Sequence, residues 1–94
     1  MAKNETVTLT ANAWTELTDA DVSAITFQNR GEYDVLITVQ NGTTTPTSFD
    51  DAIRYSPGQG ESNVTLADFA LGVTTPNRVF AYSKHAVGVF VSHA

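Results

Sequence analysis

Apolar and polar residues alternate one by one through most of this chain, and no stretch of ten residues carries a convincing helical period. Successive side chains of a strand point to opposite faces, so period-two alternation reads as half-buried strand. Thr6-Val7-Thr8-Leu9-Thr10 puts Val7 and Leu9 on one face and three threonines on the other. Ala13 to Leu17 follows across an Ala11-Asn12 turn and is expected to pair with it. Ser23 to Gln28 places Ile25 and Phe27 together. In Tyr33 to Gln40, Tyr33, Val35, Ile37 and Val39 alternate with Asp34, Leu36, Thr38 and Gln40. Short strands are also expected at Ile53-Arg54-Tyr55 and from Asn63 to Leu66. Arg78 to Ser83 and Ala86 to Ser92 then close the chain as a hairpin turned at Lys84-His85.

Turn chemistry separates these runs. Thr18 to Asp21 has side chains that bond nearby backbone N–H groups. Asn29 to Glu32 punctuates the middle of the chain, and Asn41-Gly42 tolerates the positive φ of a tight turn. Thr43 to Asp51 is a polar loop with Pro46. Ser56 to Glu61 carries a proline and two glycines and is expected to be irregular. Asp68 to Leu71 is expected to make one helical turn, ended by Gly72. The chain is therefore expected to be all-β, a small β-sandwich or β-barrel of seven or eight short, mostly antiparallel strands. Val-Thr-Leu occurs twice, at Val7 and at Val64, too short a match to establish a repeat.

With 94 residues the chain is sized for one domain, read as an extended arm over residues 1–6 and a β-domain over 7–94. Surface scaling gives a folded area of roughly 5,300 Å² against roughly 14,600 Å² unfolded. That permits one modest core and no deep cleft beside it. There is no cysteine, hence no disulfide or thiolate metal site. The net charge is −5, and Lys3, Arg30, Arg54, Arg78 and Lys84 are scattered. Phosphate neutralisation needs clustered cations, so neither nucleic acid nor an anionic membrane is an expected partner. The first residues lack the apolar segment of a secretory signal, which points to synthesis in a cytoplasm.

Catalytic signals are weak. A hydrolytic triad needs a nucleophile, a base and an orienting carboxylate brought together. His85 and His93 are the only histidines, and both read as exposed. Asp19 with Asp21 reads as turn chemistry, and Asp50-Asp51 as a solvated loop. Ser56 to Glu61 lacks the Lys-Ser/Thr and following helix of a phosphate cradle. No enzyme activity, cofactor or metal is expected. The aromatics are more informative. Phe90 opposes Val87, Val89 and Val91, while Phe80 and Tyr82 oppose Val79 and Ala81. Leu36 sits on an otherwise polar face. Apolar residues on both faces of a strand need a second apolar environment, either a covering loop or another protein. Trp14 is expected in the core.

Five segments together resemble small virion structural proteins of tailed bacteriophages. They are Val7 to Ala11, Trp14 to Thr18, Ala24 to Asn29, Ile53 to Glu61 and the closing Arg78 to Ser83. The resemblance covers most of the chain and carries no catalytic signature. It implies a capsid decoration (cement) protein that binds the outside of the major capsid protein lattice and stabilises it, on the virion surface. It extends to a homo-oligomer, such as a trimer, on the capsid. A head-fibre base, a tail or baseplate part, and a carbohydrate- or receptor-binding module are the alternatives. The pattern suggests contact through Ala2, Lys3 and Asn4, through Pro57, Gly58, Gln59, Gly60 and Glu61, and through outward Phe80 and Phe90. Linked weak contacts at many repeated sites suit such a role.

Overall fold

A computed structural model describes residues 2–69 and 72–94. Eight strands follow one another: β1 (Lys3–Thr8), β2 (Ala13–Glu16), β3 (Ala24–Asn29), β4 (Val35–Gln40), β5 (Ile53–Tyr55), β6 (Gly60–Thr65), β7 (Arg78–Ser83) and β8 (Gly88–His93). A single helical turn, α1 (Leu66–Phe69), follows β6. It starts two residues before the expected turn, whose last residues, Ala70 and Leu71, lie outside the described residues. The strands form two four-stranded sheets, β1-β8-β3-β6 and β2-β7-β4-β5, and every pairing is antiparallel. The architecture is a β-sandwich and not a closed barrel, because each sheet keeps two edges. The accessible surface is 5167 Å², close to the value expected from size.

The pairings are nested. β4 pairs with β5, β3 with β6, β2 with β7 and β1 with β8. The chain is thus one long hairpin, bent at residues 41–52 and rolled so that its layers alternate between the sheets. Added β3–β8 and β4–β7 pairings close each sheet. This strand order is the eight-stranded jelly roll.

The nesting corrects both hairpins expected from sequence. β1 and β2 are consecutive but lie in different sheets, and so do β7 and β8. A hairpin would set the apolar faces of both strands side by side in one sheet. Crossing the sandwich sets them against each other. Val79 and Ala81 from one sheet thereby share a core with Val87, Val89 and Val91 from the other. Leu9, buried just after β1, makes the first crossing and donates its backbone N–H to the Val87 carbonyl at 2.9 Å. Asn12, at φ 62°, turns the chain into β2.

From Lys3 on, the extended arm expected over residues 1–6 is part of an edge strand. Lys3 to Thr8 pair residue for residue with His93 to Gly88. The Lys3 ammonium meets Asp19 at 2.9 Å. Backbone pairing together with this ion pair outweighs the entropy of a loose terminus. The expected irregular segment is also shorter. Ser56-Pro57-Gly58-Gln59 is a tight turn closed by Gln59 N–H to Ser56 carbonyl at 3.0 Å. Gly58 takes the φ of 85° that the third position of a Pro-Gly turn requires. Gly60 and Glu61 already belong to β6.

The core is Leu9, Leu17, Ile25, Phe27, Val35, Ile37, Val39, Tyr55, Leu66, Val79, Ala81 and the three β8-side valines. Both copies of Val-Thr-Leu end an edge strand of the same sheet, and Leu9 and Leu66 are each buried. One buried polar group ties the sheets. Asn29 donates through Nδ2 to the Tyr33 carbonyl at 2.7 Å and to the Tyr55 carbonyl at 3.1 Å. Its Oδ1 accepts the Gly31 N–H at 3.0 Å. Every hydrogen-bonding site so used lowers the cost of burying an amide.

Candidate functional site

Strand parity decides what each outer face presents. On the β1-β8-β3-β6 sheet the inward positions are Val7, Ile25, Phe27, Val89, Val91 and Val64. The outward positions form cross-strand rows. Thr6, Phe90, Gln28 and Gly60 make one row, and Asn4, Ser92 and Thr26 the next. Thr8 with Gly88, and Ala24 with Thr65, extend the face at either end. None of these outward side chains is ionisable. Arg30 stands at the rim, its N–H bonded to the Gly88 carbonyl at 2.9 Å. Phe90 is half-buried at the centre of the face. Beside it a shallow hollow is lined by Thr26, Phe27, Gln28, Gly58, Gly60, Glu61, Ser62 and the Phe90 ring, so that Glu61 is its one ionisable residue.

Five of the expected contact residues converge on or beside this face: Asn4, Phe90, Gly58, Gly60 and Glu61. Gln28 fixes the turn to it by donating its side-chain N–H to the Gly58 carbonyl at 3.0 Å. Glu61 turns its carboxylate inward to accept the Tyr55 hydroxyl at 3.1 Å. Ala2, Pro57 and Gln59 lie exposed, Ala2 just before β1 and the other two at the sandwich corner. Two expected contacts fall elsewhere. Lys3 faces the rim of the sandwich, with its side chain only 8% exposed against Asp19. Phe80 is outward in parity yet only 3% exposed.

A covering loop supplies the second apolar environment on the outer face of that sheet, where Tyr82 and Trp14 stand. The β4–β5 loop folds back over the β2-β7-β4-β5 face. Phe49 rests on Tyr82, ring centroids 4.7 Å apart, and stacks on Trp14 at 5.8 Å. The Thr38 hydroxyl donates to the Asp51 carbonyl at 3.0 Å, and the Gln40 side chain donates to the Thr44 carbonyl. Trp14 is therefore half-buried outside the core, beneath a loop. Parity explains it: Trp14 lies opposite Tyr82, not opposite Ala81.

Several titratable residues have structural partners. Arg78 bridges Glu16 and Asp21, each at 2.9 Å, and both carboxylates hold its guanidinium firmly protonated. The hydrogen bond from Lys3 holds the Asp19 carboxyl below the usual range. His93, expected to be exposed, is buried. Its Nε2 accepts the Asp19 N–H at 3.4 Å, and its Nδ1 lies 3.0 Å from the Ala94 carbonyl. Among the described residues no three His, Asp or Glu side chains converge as metal ligands. Neither a family model, nor a curated protein, nor a solved structure matches this chain.

The sequence reading numbered none of the threonines, nor Ser92, around Phe90 among its candidate contacts. Their signal was present in the alternation: outward Thr6 and Thr8 precede Phe90 in register only once β1 is paired with β8.

Proposed function

We propose that this chain is a capsid decoration protein of a tailed bacteriophage and docks its β1-β8-β3-β6 outer face on the major capsid protein lattice. The observation that carries the reading is the uncharged face centred on Phe90, in a protein of net charge −5. Burying its cross-strand rows desolvates no ion, Glu61 in the hollow beside them being already hydrogen-bonded to Tyr55, and their short Thr and Ser side chains lose little rotamer entropy. Half-buried aromatic anchors ringed by polar groups are the usual centre of a contact. The resemblance of the sequence to small phage virion proteins supplies the partner. The jelly roll occurs in both viral capsid and lectin domains, so it favours this reading only by analogy.

Size sets the affinity. Four strands about 4.8 Å apart and six residues of about 3.3 Å each give a patch of roughly 400 Å². A stable interface takes about 800 Å² per partner. One copy therefore binds weakly, and adjoining copies on the lattice, such as a trimer, add the contacts that retain it.

Mass spectrometry of purified particles tests this. The expected ratio to the major capsid protein is near one or a fixed large fraction. Phe90→Ala should lower that occupancy at least about tenfold while leaving thermal unfolding of the isolated chain nearly unchanged. A handful of copies per particle, absence from particles, or normal occupancy in the variant overturns the proposal.

A further inference from the structure

The outer face of the other sheet carries a second site of different chemistry. Trp14, Tyr82, Leu36 and Arg54 stand in one register row across β2, β7, β4 and β5. Phe49 covers the Trp14 end of that row and reaches only as far as Tyr82. Beyond it lies an open hollow of about 350 Å³. Outward Tyr82 and Leu36 form its floor. Tyr33, Asp34, Arg54, Lys84 and His85 line it around that floor. The Tyr33 ring stacks on the His85 imidazole, centroids 3.7 Å apart and planes within 18°. Tyr33 remains 49% exposed. An aromatic pair held this way presents a preformed apolar wall to solvent.

The cations of the hollow are held loosely. Lys3 and Arg78 are in ion pairs at 2.9 Å. The nearest carboxylate oxygen to Arg54 is that of Asp34 at 3.9 Å, beyond hydrogen-bond range, and its side chain is 73% exposed. Lys84 makes no ion pair among the described residues. Two cations and one carboxylate make the hollow locally positive on an acidic protein. The Asp34 backbone is fixed, since its carbonyl accepts the Ser83 hydroxyl at 3.2 Å. Tyr33 is fixed through its own carbonyl, which accepts Asn29 Nδ2 at 2.7 Å. The walls therefore stand on the buried network that ties the sheets.

We propose that this hollow binds an acidic saccharide, a pyranose ring bearing a carboxylate. The C–H face of the ring packs on the exposed aromatic surface of Tyr33 and Tyr82, as apolar ligand faces do in concave aromatic sites. The carboxylate sits between Arg54 and Lys84, and charge-assisted hydrogen bonds hold it. The Asp34 carboxylate accepts ring hydroxyls. A neutral sugar would use the aromatics and leave both cations unanswered. Inorganic phosphate would use the cations and leave the aromatic surface wet. The hollow opens on the face opposite the proposed capsid contact, so a docked copy would leave it facing outward.

The test is a two-dimensional ¹H–¹⁵N NMR titration of the full chain. Tri-galacturonic acid and sialyllactose are the probes, with maltotriose and inorganic phosphate as controls. Saturable shifts are expected at residues 33–36, 54 and 82–85 with the acidic sugars, and binding at least about tenfold weaker for both controls. Arg54→Gln and Lys84→Gln should each weaken binding about tenfold, and Tyr33→Ala should also weaken it. All three side chains are exposed, so an unchanged spectrum elsewhere reports an intact fold. No saturable shift by about 10 mM ligand, equal binding of maltotriose, or equal binding of phosphate overturns the proposal. The titration uses no capsid, so its result is independent of the decoration reading.

Discussion

Gly60 stands where no side chain fits. A Cβ there would lie 2.0 Å from the Phe27 carbonyl oxygen and 2.7 Å from the Gln28 Cα. The close approach lets β6 start against β3 directly after the Pro57-Gly58 turn. Tyr55, two residues before that turn, is the other critical single position. Its ring meets Phe27 edge-on at 5.0 Å, and its hydroxyl donates to Glu61. Burial raises its ionisation well above the ordinary 10.0, with help from the Glu61 carboxylate that accepts its proton. A raised folded-state value means the unfolded chain loses this proton first. The stabilisation is whole below about pH 10 and is lost as pH rises above it. Urea melts at pH 8 and pH 11 should show this loss, and Tyr55→Phe should shrink it. At pH 8 the variant should cost about 1 kcal/mol for the missing hydrogen bond. Equal pH dependence in both proteins would refute the assignment.

At the scale of elements, β1 is the long regular edge of its sheet. The opposite edge, β6, is broken by a β-bulge. Register slips between Ile25 and Phe27, and Asn63, at φ 50°, gives its N–H to the Thr26 hydroxyl at 2.8 Å. Bulges protect edges from unwanted pairing. β1 has no bulge, and Lys3 and Glu5 are its charged residues. Its hydrogen bonding follows from one contact. Leu9 gives its N–H to Val87, so in an antiparallel ladder Lys3, Glu5 and Val7 also face β8. Asn4, Thr6 and Thr8 turn their backbone groups to the open edge. Hydrogen exchange should therefore be slow at Glu5 and Val7 and fast at Thr6 and Thr8. Thr6→Pro should leave a folded chain, whereas Val7→Pro removes a ladder bond and should cost about 1–3 kcal/mol for the carbonyl left unpaired. Uniform protection along β1 would contradict this register.

For the whole molecule, nested pairing makes almost every strand contact distant in sequence. The first strand pairs with the last, and only β4 and β5 are joined as a local pair. Loop closure must be completed before such contacts form, which slows folding of β-sandwiches to milliseconds or seconds. Stopped-flow refolding monitored by Trp14 fluorescence should show that timescale, with Trp14 reporting closure of the Phe49 loop. A complete microsecond phase would be inconsistent with it.

Most strand positions, and the parity of most strand side chains, were legible in the sequence, though not the start of β1 at Lys3, the start of β6 at Gly60 or the outward placing of Trp14. Val7, Ile25, Phe27, Val79 and Val89 face inward as their alternation requires, and the outward parity of Phe90, Phe80 and Leu36 was readable too. Those properties are local, set by a period of two within each strand. Alternation is the same whichever strand lies alongside, so it carries no record of partners. Only the tertiary structure assigned β1 and β2 to different sheets, placed Trp14 under Phe49 and buried Phe80. It also gathered Arg54 from β5, Tyr82 from β7, and Tyr33, Lys84 and His85 from the turns before β4 and after β7. Partners are chosen by burying two apolar sheet faces against each other at once, a condition on the whole chain that no single segment contains.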